Sequence, residues 1–247
     1  MKQKITGYVV LLFFLSIMSY ATANQVGLSG IWYASPYTGD KNETVPWPIV
    51  RLDTNHFFID NGTGGIHLWR DTDQQVNALI QFLPLHLNPS KNRNEQMKQL
   101  DHRRTRLLGG LGYQLVTDMG TMNAAILADM PNTSQSVIAD LTYTYRGQVM
   151  RDLFISPFIG ANWVNKKHNQ YYFGVSTSES ARTGIRCYRP NDGVGYYIGI
   201  GMDYFFTPHW SGKLDYQFFK FNHKAKSSPI TKHDYSHLLV AGVAFNF

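Results

Sequence analysis

Nine histidines, a single cysteine (Cys187) and scattered serines are the residues of this 247-residue chain that could carry nucleophilic or metal chemistry. Their spacing argues against both. His56, His67, His86 and His102 are dispersed through the N-terminal half, and His223, His233 and His237 fall near the C-terminus. No pair has the HExxH spacing that sets two imidazoles on one helix face around zinc, and no Cys/His zinc pattern occurs. The G-x-S-x-G elbow of a serine hydrolase is absent, and the serine of "SPI" has no obvious base. We therefore expect no catalytic, cofactor-binding or metal-binding residues, with the histidines at rims and in loops.

The charged residues are more informative. Arg104, Arg106, Asp129, Asp140, Arg146, Asp152, Asp203, Lys213 and Asp215 all fall on the polar side of alternating stretches. Opposite charges on neighbouring strands can pair across a ladder. The expectation is an internal charge network that fills and stiffens a lumen; the sharper alternative is the selectivity lining of a pore. Phe154, Phe158, Tyr197 and Phe205 share the inward face and argue against a wide channel.

Those charges need elements to position them, and the elements read as strands. "VIADLTYTYRG" (137–147), "DLFISPFIGANW" (152–163), "VGYYIGIGMDYFF" (194–206), "HWSGKLDYQFFKF" (209–221) and "HLLVAGVAFNF" (237–247) alternate apolar and polar or small residues with period two. Stretches 104–115 and 121–130 do the same. Upstream, 26–34, 44–54, 56–60, 64–70 and 74–85 read as strands, although Pro46 and Pro48 are awkward for a central strand and fit a rim or a bulge better. The count is about twelve, within 10–14. Several runs reach ten residues, the length a tilted strand needs to cross a bilayer. Aromatics gather near the strand ends. Tight connections ("TDMG", "PNTS", "GQVM", "FTPH") alternate with long ones (35–43, 88–103, 164–193, 222–234). Lipid offers no hydrogen-bond partners, so such strands must pair around a ring. The fold expected is all-β, a transmembrane antiparallel β-barrel, with Phe245 and Phe247 on the strand that closes it.

The N-terminus supplies the compartment. Lys2 and Lys4 precede "YVVLLFFLSIM", and Ala21-Thr22-Ala23 makes a small-residue cleavage site. Residues 1–23 are expected to be a signal peptide cleaved after Ala23, with 24–247 forming one barrel domain. Charged residues are 16%, against ~25% in soluble proteins. The net charge of +6 does not indicate nucleic acid, because part belongs to the leader and the rest clusters in loops. The basic loop 88–106 could contact lipopolysaccharide phosphates or be simply solvated. Segment 176–186 is expected to form a short helix capped by Ser or Thr, over the barrel mouth or as a docking surface. "NET" and "NGT" match the glycosylation pattern, which carries little weight in a bacterial export context.

"YYFGVS" (171–176), "ESARTGIRCYRPNDGVG", "FFTPHW", "KSSPI" (226–230), the aromatic terminus and "SPYTGDKNETVPWPIVRLDTNHFFIDNGTGG" together resemble the MipA/OmpV family of outer-membrane barrels, over nearly all of the chain after residue 23. The chain departs from that pattern at "LDHRRTR", where the family carries a Gly-Arg element. The resemblance implies the outer membrane of a Gram-negative bacterium. It also implies a non-enzymatic scaffold linking a lytic transglycosylase and a penicillin-binding synthase in peptidoglycan growth. Resemblance to outer-membrane proteins generally implies that Phe245 and Phe247 are read by the barrel assembly machinery. The alternatives are a small solute pore or transporter, or a surface adhesin.

Overall fold

The computed structural model describes residues 24–130 and 134–247; the leader and cleavage site read in 1–23, and most of "PNTS", lie outside them. Thirteen strand segments form one antiparallel sheet: β1 (Gln25–Tyr33), β2 (Glu43–Asp53), β3 (Phe57–Asp60), β4 (Thr63–Arg70), β5 (Gln74–Leu83), β6 (Arg106–Thr117), β7 (Gly120–Asp129), β8 (Val137–Thr144), β9 (Gly147–Met150), β10 (Leu153–Val164), β11 (Gly193–Thr207), β12 (Trp210–Lys220) and β13 (Tyr235–Asn246). Both β8 and β9 pair with β10, so they are two pieces of one wall strand interrupted at Tyr145–Arg146. The barrel thus has 12 strands. "GQVM", expected as a turn, is strand β9; its backbone continues the β10 ladder.

The seam joins β13 to β1, with Gln25 opposite Asn246 and Tyr33 opposite Leu238. The Phe247 N–H donates to the Asn24 carbonyl at 3.0 Å, carrying the ladder past the last strand residue. Outward residues form the lipid-facing belt: Leu28 is 64% exposed, Ile126 64%, Ile198 56% and Leu214 40%, values that only acyl tails explain for so many aliphatic side chains in regular strands. At the short-turn end Trp210 meets Phe245 edge-to-face, centroids 5.3 Å apart, and Phe245 stacks on Phe247 at 6.5 Å.

Short turns (Thr54–His56, Asp71–Asp73, Asp118–Met119, Arg151–Asp152, Pro208–His209) occupy one end, and the long connections the other. The long connections fold together. Buried Tyr37, Leu85, Leu87, Met97, Leu100, Tyr172, Phe173, Val175 and Ile230 carry the apolar core of the barrel up into the long connections. These connections contain α1 (Lys166–Phe173), α2 (Thr177–Thr183) and α3 (His223–Lys226). The Tyr37 hydroxyl donates to the Tyr172 carbonyl at 3.1 Å, and Ser228 Oγ to the Phe173 carbonyl at 2.6 Å, so three loops are tied into one cap.

Candidate functional site: the lumen and its cap

Inward side chains fill the barrel. Register places Phe158 opposite Gly199 and Tyr197 opposite Gly160. A Cβ at either glycine would overlap the facing ring, so glycine is what lets these two aromatics lie across the lumen. The Tyr197 hydroxyl donates to Asp140 at 2.7 Å, and Thr142 Oγ1 donates to the same carboxylate at 3.1 Å while also contacting the Tyr197 hydroxyl. Along the adjoining wall, on β5, β6 and β7, Gln75 Nε2 donates to Gln114 Oε1 and Gln114 Nε2 to Asn123 Oδ1, both at 2.8 Å. Buried amides can only persist in such satisfied chains.

A charge cluster sits in the half nearer the short turns. Lys213 pairs directly with Asp203, and Arg51 Nε lies 3.4 Å from Asp60. Asp215 and Arg146 interact electrostatically with these groups, and the Arg146 guanidinium lies over the Phe154 ring at 4.4 Å. The cluster holds three cations (Arg51, Arg146, Lys213) and three anions (Asp60, Asp203, Asp215). Sequence alternation brought out Arg146, Asp203, Lys213 and Asp215. It missed Arg51 and Asp60, although Arg51, Asp53 and Ile49 share one face of β2, a period-two signal broken up by the prolines.

Five expected members lie elsewhere. Asp129 and Asp140 point inward but accept from hydroxyls and amides; Ser134 donates to Asp129 from both its N–H and Oγ at 2.7 Å. Arg106, at the start of β6, stacks on the Tyr171 ring at 4.6 Å beneath the cap. Two placements need correction. Arg104 precedes β6 and is exposed, its N–H donating to the Tyr171 hydroxyl at 2.9 Å, so strand alternation does not apply to it. Asp152 is the second residue of the Arg151–Asp152 turn and is likewise exposed.

Two histidines, one beside the short-turn rim and one in the long connection after β10, have buried rings. His67 bridges Asn77 (2.7 Å) and Asp53 (3.0 Å), with Arg70 donating to both Asp53 oxygens. His168 is buried in the cap against Tyr172, ring centroids 4.8 Å apart, and burial pushes its pKa down to about 3. Among the described residues no group of three or more His, Cys, Asp or Glu side chains could hold a metal ion, and Cys187 is exposed.

The cap is pinned by a buried ion pair. Ser176 Oγ accepts from the Glu179 N–H at 3.2 Å while the Glu179 carboxylate accepts from the Ser176 N–H at 2.9 Å, a reciprocal cap for α2. That helix matches the expectation for 176–186. Glu179 Oε1 also receives Arg103 at 2.7 Å and the Asp101 N–H at 3.1 Å. Burial pushes the Glu179 pKa up, but the Ser176 N–H and Arg103 outweigh it and hold it below the usual carboxylate range. An open pocket of about 380 Å³ beside the pair is lined by Asp101, Arg103, Tyr171, Glu179, Tyr188 and Arg189. Loop 88–106 is therefore neither free nor wholly solvated: Met97, Leu100 and Arg103 are buried in the cap.

The chain is 27% identical over 212 residues to the MltA-interacting protein of Escherichia coli (strain K12), covering 86% of this chain and 85% of that one. It is 26% identical over 241 residues to the putative outer membrane protein YiaT of Escherichia coli O157:H7, covering 97% and 98%. Among solved structures, the NanC porin superposes with a TM-score of 0.49 at 10% identity, over 90% of this chain and all of that one. The family model described as MltA-interacting protein MipA matches residues 26–247, and the chain belongs to that family of outer-membrane barrels.

Proposed function

We propose that this barrel is a non-enzymatic scaffold of the outer membrane that docks a murein hydrolase of the MltA type, and through it a penicillin-binding synthase, at its short-turn end. The observation that carries the reading is a lumen lined near the short turns by a balanced three-against-three charge cluster and covered at the other end by a folded apolar cap. That arrangement favours a structural role for the charges over a selectivity lining. The name of the Escherichia coli relative supplies the partner class.

By the habit of outer-membrane barrels the short turns face the periplasm, where murein lies. That rim carries exposed Asp71, Asp73, Asp118 and Asp152 around Met119, which is 73% exposed on a turn held by the Tyr143 hydroxyl at 2.6 Å. The remaining partners are outer-membrane lipid, lipopolysaccharide on the outer face where Arg93 and Arg104 are exposed, and the assembly machinery reading Phe245 and Phe247. Processing after Ala23 belongs to the same proposal, and N-terminal sequencing of the membrane form checks it.

The barrel refolded into lipid nanodiscs, with heat-modifiable gel migration as proof of closure, should bind a purified MltA-type transglycosylase saturably. Met119→Glu should weaken that binding. A closed barrel that binds neither murein enzyme overturns the scaffold reading, and reproducible conductance in planar bilayers would replace it with transport.

A further inference from the structure

The barrel wall is not paired all the way up. On the side of β2 away from β1, pairing runs through Asp53, Leu52 and Arg51 to β3 and ends where the Asn61 N–H donates to the Val50 carbonyl at 3.0 Å. There the chain turns back through Asn61 and Gly62, both with positive φ (45° and 99°), the geometry of a tight two-residue hairpin. β3 is only four residues long. The last contact on the β5 side is Phe82 N–H to the Gly62 carbonyl at 3.0 Å. Above that level no strand among the described residues pairs with β2 on this side, and a wedge opens between β2 and β5 towards the capped end.

The residues bordering the wedge are unusual for a sheet edge. Val50 faces away from β1, so alternation makes Pro48 and Pro46 the next residues whose backbones face the wedge. Across it, Phe82 faces the wedge and the alternation continues to Pro84. Proline has no N–H. Three positions that would otherwise aim donors into the opening therefore aim none. The prolines expected at a rim or bulge lie instead on an open edge inside the wall. Such an edge cannot accept an added strand, because half of each ladder's hydrogen bonds come from the missing donors. A second copy or a partner strand is thus a poor occupant.

Among the described residues, side chains rather than a paired strand bridge the wedge. Trp47 lies on the inward face of β2, opposite Ser29, while Phe82 lies on the outward face of β5; their rings nevertheless stack across the gap, centroids 6.2 Å apart and 21° from parallel. Behind them lie buried Ile31, Val45 and Leu83. Outside, Pro46 and Pro48 are exposed to the membrane.

We infer that this wedge is a lateral seat for an acyl chain of an outer-leaflet membrane lipid, laid against the Trp47–Phe82 pair. A hydrocarbon chain needs no hydrogen bonds and desolvates no donor at a proline edge. The wedge opens towards the long-loop end, which faces outward in this class. The inference does not depend on the scaffold reading.

The test is photolabelling of the full barrel in vesicles containing a phospholipid with a diazirine at mid-chain, with sites mapped by peptide mass spectrometry after heat-modifiable migration has confirmed closure. Trp47 should be labelled at a level comparable to outward Ile126, and at least tenfold above Leu127, an inward residue of a fully paired wall. Phe82→Ala should raise Trp47 labelling further. Trp47 labelling no higher than that of Leu127 overturns the seat, as does labelling by a free diazirine fatty acid but not by the phospholipid.

Discussion

Arg103 and Glu179 lie 76 residues apart in sequence and 2.7 Å apart in the cap, with side chains 8% and 3% exposed. They join the basic loop after β5 to the helical loop after β10. Neither loop has a regular ladder to hold it, so this pair and the apolar core beneath it decide whether the mouth stays shut.

Glu179→Ala should loosen the cap without opening the barrel. It leaves Arg103 buried without its carboxylate, which costs about 3–5 kcal/mol, and removes the reciprocal cap of α2, worth about 1 kcal/mol. Amide hydrogen exchange across 166–184 should accelerate roughly a hundredfold or more, while β11 and β12 stay protected. Unchanged exchange in that loop would show that the apolar core alone holds it.

Acid should act on the same cap. His168 stays neutral when folded, with its pKa pushed down to about 3 by burial, whereas an unfolded imidazole titrates near ~6.5. Its contribution is fully present above the unfolded value and is lost as pH falls from about 6.5 towards 3, by about 1.4 kcal/mol per pH unit. Glu179, held low, adds a further loss below ~4.3 as its folded carboxylate protonates. Exchange of cap amides measured from pH 7 to 4, corrected for intrinsic rates, should rise steeply. His168→Phe should flatten the upper part of that profile.

The charge cluster should be sensitive to imbalance rather than to loss of charge as such. Lys213→Met leaves Asp203 without its direct partner and should cost about 3 kcal/mol in guanidinium unfolding from detergent micelles. Adding Asp203→Leu removes the stranded anion and should recover at least half of that. A double variant no better than the single one would count against a balanced network.

The seam should tolerate almost no bulk at Gly27. Register sets it opposite Ala244, and a Cβ there would overlap the Val243 carbonyl. Gly27→Val should abolish the compact unboiled gel band, because β1 and β13 cannot close. Gly30→Val, where a Cβ meets open space, should keep the band.

Much of the fold is legible in the residue pattern alone. Period-two alternation shows which face of each strand is oily, and it locates the wall strands to within a few residues, from 25–33 to 235–246, except for β9, where the pattern reads as a turn. The short helix at 177–183 was also readable, since a serine cap and a glutamate three residues on are a local signal. Alternation does not say where a strand stops. Arg104 and Asp152 continue the alternating pattern of their stretches, yet one precedes its strand and the other sits in a turn.

Period-two patterning alone implies the ring, because lipid offers strand amides no partner but a neighbouring strand and leaves the alternating aliphatic face of each strand turned towards acyl tails. Only tertiary structure decided which charges meet, how four loops build one cap, and where the wall is left open. Arg51 joins Lys213 and Asp203 through strands brought round by closure, and Trp47 meets Phe82 only because β3 ends after four residues. Those outcomes depend on register and shear around the whole barrel, which no local stretch of chain encodes.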